Sequence, residues 1–274
     1  MEEKKIEFPS DFIWGTAVCS HQAEGHNVHS DWWRWEQEGN IRDGTVSGPA
    51  ADMLNRYPED FEFMERIGLD AFRLGIEWAR IEPERGRFDQ DAIQHYRNVF
   101  EEMKKRGLKV CLTLYHWVLP AWMQDAGGWT SPDSVRWFRS FCRCVIDNFY
   151  DYVDMWVTLN EPMVPVIAGY IFGEFPPEKK NFAEARVVFK NLLKAHLEAY
   201  NLIRKKAKEK GESEEPKIGI AQALAYFEPR FKNNFLDRKF IEFVDFIHNH
   251  SFPQAMQTGR IPFPFGFNEG VPGL

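Results

Sequence analysis

Apolar runs alternate along the chain with amphipathic stretches of helical spacing, and the alternation predicts strand after helix from end to end. Phe12 to Val18 reads as a first strand, leading into a long polar and aromatic loop from Ser20 to Pro49. A helix from about Arg56 to Ile67 is followed by Gly68 as its C-cap, and Ala71 to Trp78 forms a second strand. Asp89 caps a helix reaching about Arg106, Gly107 closes it, and Leu108 to His116 is the third strand. Ser131-Pro132 opens a further helix, cap then proline, which carries Val135 to Val153 into the apolar run Met155-Trp-Val-Thr-Leu-Asn-Glu-Pro162, the fourth strand. A helix from about Phe182 to Lys210, a fifth strand near Ile218 to Tyr226 and a helix from about Lys239 to Ala255 complete the pattern.

Strict alternation of this kind predicts an α/β fold with a parallel sheet and right-handed crossovers, either doubly wound or a (β/α)8 barrel. The first strand-to-helix turn, Gly15-Thr-Ala-Val-Cys-Ser-His-Gln, lacks the glycine spacing of a dinucleotide fingerprint. Polar residues collect instead at successive strand ends: His21, Gln22 and Glu24 after the first, His116 after the third, Asn160 and Glu161 at the fourth. Several strand ends feeding one polar site is how a TIM-type barrel is organised. No tandem repeat, low-complexity linker or charge block interrupts the chain, so 1–274 is expected to form a single domain.

The formal charge of −7 and pI near 5.7 argue against a nucleic-acid partner or an anionic membrane surface. The single basic cluster, Arg204 to Lys210, ends a long helix, where cations suit the dipole. Ten Trp and 24 Phe exceed what most cores hold, which suits stacking against sugar rings or other flat ligands as well as packing. Cys19, Cys111, Cys142 and Cys144 show no metal-ligand spacing and lie in apolar elements, as reduced core thiols do. The start Met-Glu-Glu-Lys-Lys lacks an apolar leader and no run has the length of a membrane span, so a cytoplasmic address is expected.

Asn160 and Glu161 carry the most pointed chemistry. A buried strand delivers them at its carboxyl end, and Pro162 forbids the ladder to continue. A carboxyl so placed suits a general acid, whereas a strand stopping in a turn-forming Asn and a solvated Glu is the plain alternative. His21, His26 and His29 share one loop without helical spacing or a matching Cys or carboxylate pattern, so no metal site is expected. His248 and His250 are two apart on a predicted helix and face different sides. Asp31-Trp-Trp-Arg-Trp35 serves either to pin its loop or to stack sugar.

Five segments together carry a resemblance. Phe8-Pro-Ser-Asp-Phe-Ile-Trp-Gly-Thr-Ala, Gln22-Ala-Glu-Gly25, Phe72-Arg-Leu-Gly-Ile-Glu-Trp-Ala-Arg-Ile-Glu-Pro83, Leu114-Tyr-His-Trp117 and Thr158-Leu-Asn-Glu-Pro162 resemble successive signatures of the family 1 glycoside hydrolases, the β-glucosidase and β-galactosidase family. The resemblance implies a retaining β-glycosidase without cofactor, with Glu161 as acid/base, Asn160 holding the sugar's 2-hydroxyl, Gln22 and His116 binding hydroxyls of the innermost subsite, and Arg73 orienting the nucleophilic carboxylate. Trp117 either lines the same pocket or belongs to the core.

A retaining glycosidase needs a second carboxylate roughly 5 Å from the first. The family places it in a downstream Thr-Glu-Asn-Gly-like motif, and that motif does not occur in these residues. Counting strands gives about the first five of the eight units implied by the family's barrel. Glu77 reads as a buried structural group about 13 Å along the strand from Arg73. Glu24 reads as fixing its loop, and Glu228 and Glu269 have no defensible position, so no nucleophile is assigned. Two functions follow: a retaining β-glycosidase acting on neutral β-linked hexosides, of which this chain is a portion or one separately made half, or a noncatalytic carbohydrate-binding remnant; beside the sugar, a C-terminal half chain or a homo-oligomer is the partner to expect.

Overall fold

The computed structural model describes residues 7–271. Five parallel strands lie side by side in chain order: β1 (Gly15–Ala17), β2 (Ala71–Gly75), β3 (Lys109–Tyr115), β4 (Met155–Asn160) and β5 (Lys217–Ala221). Their crossovers run through α1 (Met53–Arg66), α2 (Gln90–Lys105), α3 (Ser134–Phe149) and α4 (Phe182–Lys210). α5 (Phe235–Asp245) and α6 (Ser251–Thr258) follow, joined by a π-helical stretch from Phe246 to His250. The central strand, β3, lies between β2 and β4, and its Val110, Leu112, Leu114 and Tyr115 are buried, as expected of a strand covered on both faces.

Capping sets where the crossovers begin. The Asp89 carboxylate accepts from the backbone of Asp91 at 2.8 Å and Ala92 at 3.0 Å, starting α2. From that helix Ile93, Tyr96, Phe100 and Met103 point into the core at helical spacing. Asn181 starts α4 in the same way, accepting from Ala183 and Glu184, and Gly211 ends it at φ +71°. Buried side chains from Ala23 to Val271 form one cluster, in which Phe100 is fully enclosed, and truncating such a ring costs about 3–5 kcal/mol.

Several boundaries differ from the sequence-based expectation. The first strand is only Gly15–Ala17 rather than Phe12 to Val18, and all three residues are exposed. The loop from Ser20 to Pro49 contains two short helices, Ser20–Ala23 and Asp31–Gln37, the second capped by the Ser30 hydroxyl. The second strand stops at Gly75, because Glu77 caps a short helix, Trp78–Ile81, and Glu77 therefore does not share a strand face with Arg73. α3 starts at Ser134, not at the Ser131-Pro132 pair, and β5 ends at Ala221, five residues short of Tyr226. The helix expected from Lys239 begins at Phe235, under an Asn234 cap. A π-helical stretch, Pro165–Phe172, and an antiparallel ribbon, β6 (Arg260–Ile261) with β7 (Glu269–Gly270), have no counterpart in the periodicity.

The cysteines are free: Cys19 and Cys142 are buried, whereas Cys111 and Cys144 are half-buried. No helix among the described residues is long and apolar enough to cross a membrane.

Candidate active site

The carboxyl ends of the parallel strands bring polar groups to one rim. Arg73 projects from β2, where its Nε donates to Thr113 Oγ1 at 3.0 Å and its Nη2 donates to Asn160 Oδ1 at 2.5 Å. The guanidinium thus spans β3 and fixes the carboxamide of a buried residue at the end of β4. Arg73 has no ion pair among the described residues: both observed acceptors are neutral.

Glu161 follows at once. Its backbone N–H donates to Ala221 O at 2.7 Å, keeping β4 tied to β5, while its own φ of +44° turns the chain away. A non-glycine residue in that left-handed region costs free energy and is characteristic of sites where side-chain direction matters. Pro162 then removes the next ladder donor. The Glu161 side chain is half-buried.

Trp117 is held in the same unusual backbone region, at φ +71°, and its indole Nε1 donates to Asn160 O at 3.0 Å. Its ring lies 6.0 Å from that of Phe175, which in turn meets Trp32 at 5.0 Å. His116, beside it, is half-buried with a buried Nδ1 that has no partner among the described residues. Burial, reinforced by the Arg73 charge, pulls its pKa down to about 4, so at neutral pH the ring is an uncharged imidazole able to bind a hydroxyl.

Gln22 occupies the short helix after β1 and is exposed at the same rim, without a bond to the Arg73, Asn160 and Trp117 group. Its neighbour His21 is sequestered: Nε2 lies 2.6 Å from Glu36 Oε1 and Nδ1 lies 3.2 Å from Asn27 Nδ2, whereas His26 and His29 are exposed. Among the described residues no group of three His, Cys, Asp or Glu side chains is arranged to hold a metal. Asp31 pins its loop rather than a ligand, accepting from the backbone of Leu119 at 2.9 Å and of Trp32 at 2.8 Å. His250 lies 3.2 Å from Asp245, and His248 packs against Phe227.

The sequence did not disclose the parts played by Thr113 and Glu36. Thr113 leaves one trace, a polar residue in an otherwise apolar strand. Glu36 leaves none, because its partner His21 is fifteen residues away in an irregular loop.

Residues 4–265 match the model of glycosyl hydrolase family 1. The chain belongs to that family. It is 36% identical over 230 residues to beta-glucosidase A of Thermotoga maritima, a match covering 81% of this chain and 50% of that protein. With the beta-galactosidase of Pyrococcus woesei it shares 31% identity over 321 residues, covering 94% of this chain and 62% of that one. The structure superposes on the family 1 β-glucosidase of Thermotoga maritima with a TM-score of 0.86 and 33% identity, covering 93% of this chain and 58% of that one. The same enzyme has been solved with isofagomine lactam and with glucoimidazole. The family 1 chain therefore spans about half the length of the curated relatives it matches, and its five parallel strands with external helices form part of a (β/α)8 barrel.

Proposed function

We propose that this family 1 chain supplies the acid/base side of a retaining β-glycosidase site for neutral β-linked hexosides. Glu161 donates a proton to the glycosidic oxygen and afterwards takes one from water, Asn160 holds the sugar's 2-hydroxyl, Gln22 and His116 bind further hydroxyls, and Arg73 steadies the attacking carboxylate. The observation that carries this reading is the Arg73 guanidinium, bound to the Asn160 carboxamide one residue before Glu161 and facing no carboxylate among the described residues. A guanidinium set among neutral acceptors at a strand-end rim attracts an anionic group. In this proposal the nucleophilic carboxylate comes from further strand-helix units of the family's barrel. A neutral His116 and the uncharged Gln22 favour uncharged hexosides over phosphorylated ones.

The test uses the purified 274-residue chain and an aryl β-glucoside. Alone it is expected to show no turnover, since general acid catalysis contributes about 10²–10⁴-fold, well below the 10⁶-fold or more of complete enzymes. Adding a polypeptide with the remaining three units of the family barrel should restore hydrolysis that Glu161→Gln abolishes. Substantial turnover by the isolated chain, lost on Glu161→Gln, would show that one of its own carboxylates is the nucleophile. Saturable sugar binding without hydrolysis in every assembled state would instead establish the carbohydrate-binding remnant.

A further inference from the structure

A cluster of buried charge lies beneath the short helix that carries Gln22. Glu24, 5% exposed, accepts from Tyr96 Oη at 2.7 Å and from Arg80 Nε at 3.1 Å. Arg80 Nη2 donates to Gly25 O at 2.8 Å, so one guanidinium grips both the side chain and the following backbone of the loop. Tyr96 Oη accepts in turn from the backbone N–H of Glu77 at 2.9 Å. Glu77, 3% exposed, accepts from the backbone of Ala79 at 3.2 Å. On the other side of Gln22, Ser20 rests on Gly75, where a Cβ would stand 2.5 Å from the Ser20 hydroxyl. Gln22 thus projects from a four-residue helix held at both ends.

Two buried carboxyls and one guanidinium leave one negative charge uncompensated if both carboxyls ionise. A desolvated pair of that kind is most stable with one proton retained. Among the described residues Glu77 has only a backbone N–H as donor, whereas Glu24 has both the phenol and the guanidinium, so the proton belongs on Glu77.

We propose that Glu24 is a positioning residue that sets Gln22 at the rim through Arg80 and Tyr96, and that Glu77 completes this clamp as the protonated member of a carboxyl pair. The consequence for sugar binding rests on the reading of Gln22 as a hydroxyl ligand. The clamp itself rests on geometry alone.

Glu77 faces Glu24, Asp31 and Cys19 from the first loop, Arg80 from its own short helix and Tyr96 from α2. Burial, followed by the Glu24 and Asp31 carboxyls, pushes its pKa up to about 8, although the Ala79 N–H and Arg80 oppose the shift. The folded protein therefore holds a proton that the unfolded chain releases near the ordinary carboxylate value. The clamp is intact below that range and loosens as pH rises through about 8.

Hydrogen exchange on the 274-residue chain, corrected for the intrinsic pH dependence of exchange, reads this directly in the peptides covering residues 19–25. Wild-type protection should fall about tenfold as pH rises through about 8. Glu77→Gln, which can still accept from Ala79 N–H, should keep the neutral-pH protection and lose the alkaline step. Glu24→Gln should lose about tenfold in protection already at pH 7 while β3 stays unchanged. Equal protection in Glu24→Gln and wild type, or an alkaline step that survives Glu77→Gln, would overturn the clamp. Should Glu24→Gln fail to fold, the wild-type step and its loss in Glu77→Gln still decide. In an assembled, active glycosidase Glu24→Gln should raise KM more than it lowers kcat, and an unaltered KM would refute the positioning of Gln22. Failure of every assembly to hydrolyse glycosides would sink the proposed function but leave the exchange result standing.

Discussion

Arg73 on β2 and Asn160 at the end of β4 are joined over the intervening β3 by a single hydrogen bond, with Thr113 of β3 accepting from the same guanidinium. One side chain therefore cross-links three strands at the rim. Arg73→Met should leave the buried Asn160 carboxamide and Thr113 hydroxyl without this donor, costing about 1–3 kcal/mol. Arg73→Lys, with a single ammonium in place of the planar fork, should lose a smaller amount. Urea unfolding monitored by Trp fluorescence checks both. A wild-type midpoint in Arg73→Met would show that the bridge adds nothing to stability.

Acid should weaken the fold through two imidazoles. Burial and the Arg73 charge lower His116 to about 4, and burial lowers His196, bonded to Thr158 Oγ1 at 2.7 Å, to about 4 as well. Between the ordinary histidine range and pH 4 the unfolded chain takes up protons that the folded one refuses. Their contribution to stability is complete above about pH 6.5 and is lost as pH falls through 4. The expected loss is on the order of 1–3 kcal/mol per imidazole. Because Glu77, with its pKa raised to about 8, contributes in the opposite direction over the same window, the imidazole loss is read as a difference between proteins: from pH 7 to 4 the change in denaturant midpoint of His196→Asn should differ from that of wild type by about one group's share. An identical change in both proteins would place the acid sensitivity elsewhere.

Two glycines separate backbone strain from steric clash. Gly25 has φ +84° and a Cβ there would lie 2.1 Å from Pro49 O, whereas Gly39 has φ +82° with nothing within 4 Å. Gly39→Ala should cost about 1–2 kcal/mol, the left-handed penalty alone. Gly25→Ala should add about 1–3 kcal/mol for the overpacked contact. Equal losses in thermal unfolding would mean that the segment after Glu24 yields freely, contrary to the anchoring described for it.

Which parts of this are readable from sequence follows from the range of the interactions. The order of strands and crossovers is legible, because hydrophobic period and caps such as Asp89 are local signals. The placing of His116, Asn160 and Glu161 at the same ends of their strands follows from parallel topology alone. Ends of elements are less legible. β2 stops at Gly75 because the Glu77 carboxyl caps a helix, and in sequence Gly-Ile-Glu-Trp reads equally well as more strand. The bonds of Arg73 to Thr113 and Asn160 join residues 40 and 87 positions apart, beyond the reach of any periodic pattern. The sequence points to structural parts for Glu24 and Glu77, but the Tyr96 and Arg80 partners that define those parts come from the fold.

The last expectation concerns the surface beyond β5. Leu224, Tyr226, Leu236, Phe240 and Phe267 are 75%, 86%, 74%, 62% and 76% exposed, and a cavity of about 580 Å³ beside them is lined by Ile167, Ile171, Phe172, Phe240, Val244 and Ile247. At the opposite edge Phe8, Phe12 and Trp14 form an exposed aromatic group beside β1, with ring centroids 4.7–4.8 Å apart. Both outer strands, β1 and β5, pair on one side only among the described residues. Contiguous apolar surface next to an unpaired strand edge drives association, so the isolated chain should bind a hydrophobic dye and self-associate with rising concentration. Because Leu236 and Phe240 contribute little to the core, Leu236→Lys with Phe240→Glu should reduce both effects while moving the unfolding midpoint by no more than about 0.5 kcal/mol. A complementing polypeptide that covers these edges should quench dye binding in step with the return of hydrolysis. Sedimentation velocity with dye titration decides the matter: a monomer that binds no dye at high concentration would show that this surface is already satisfied in the isolated chain, and would remove the structural reason for expecting a complement.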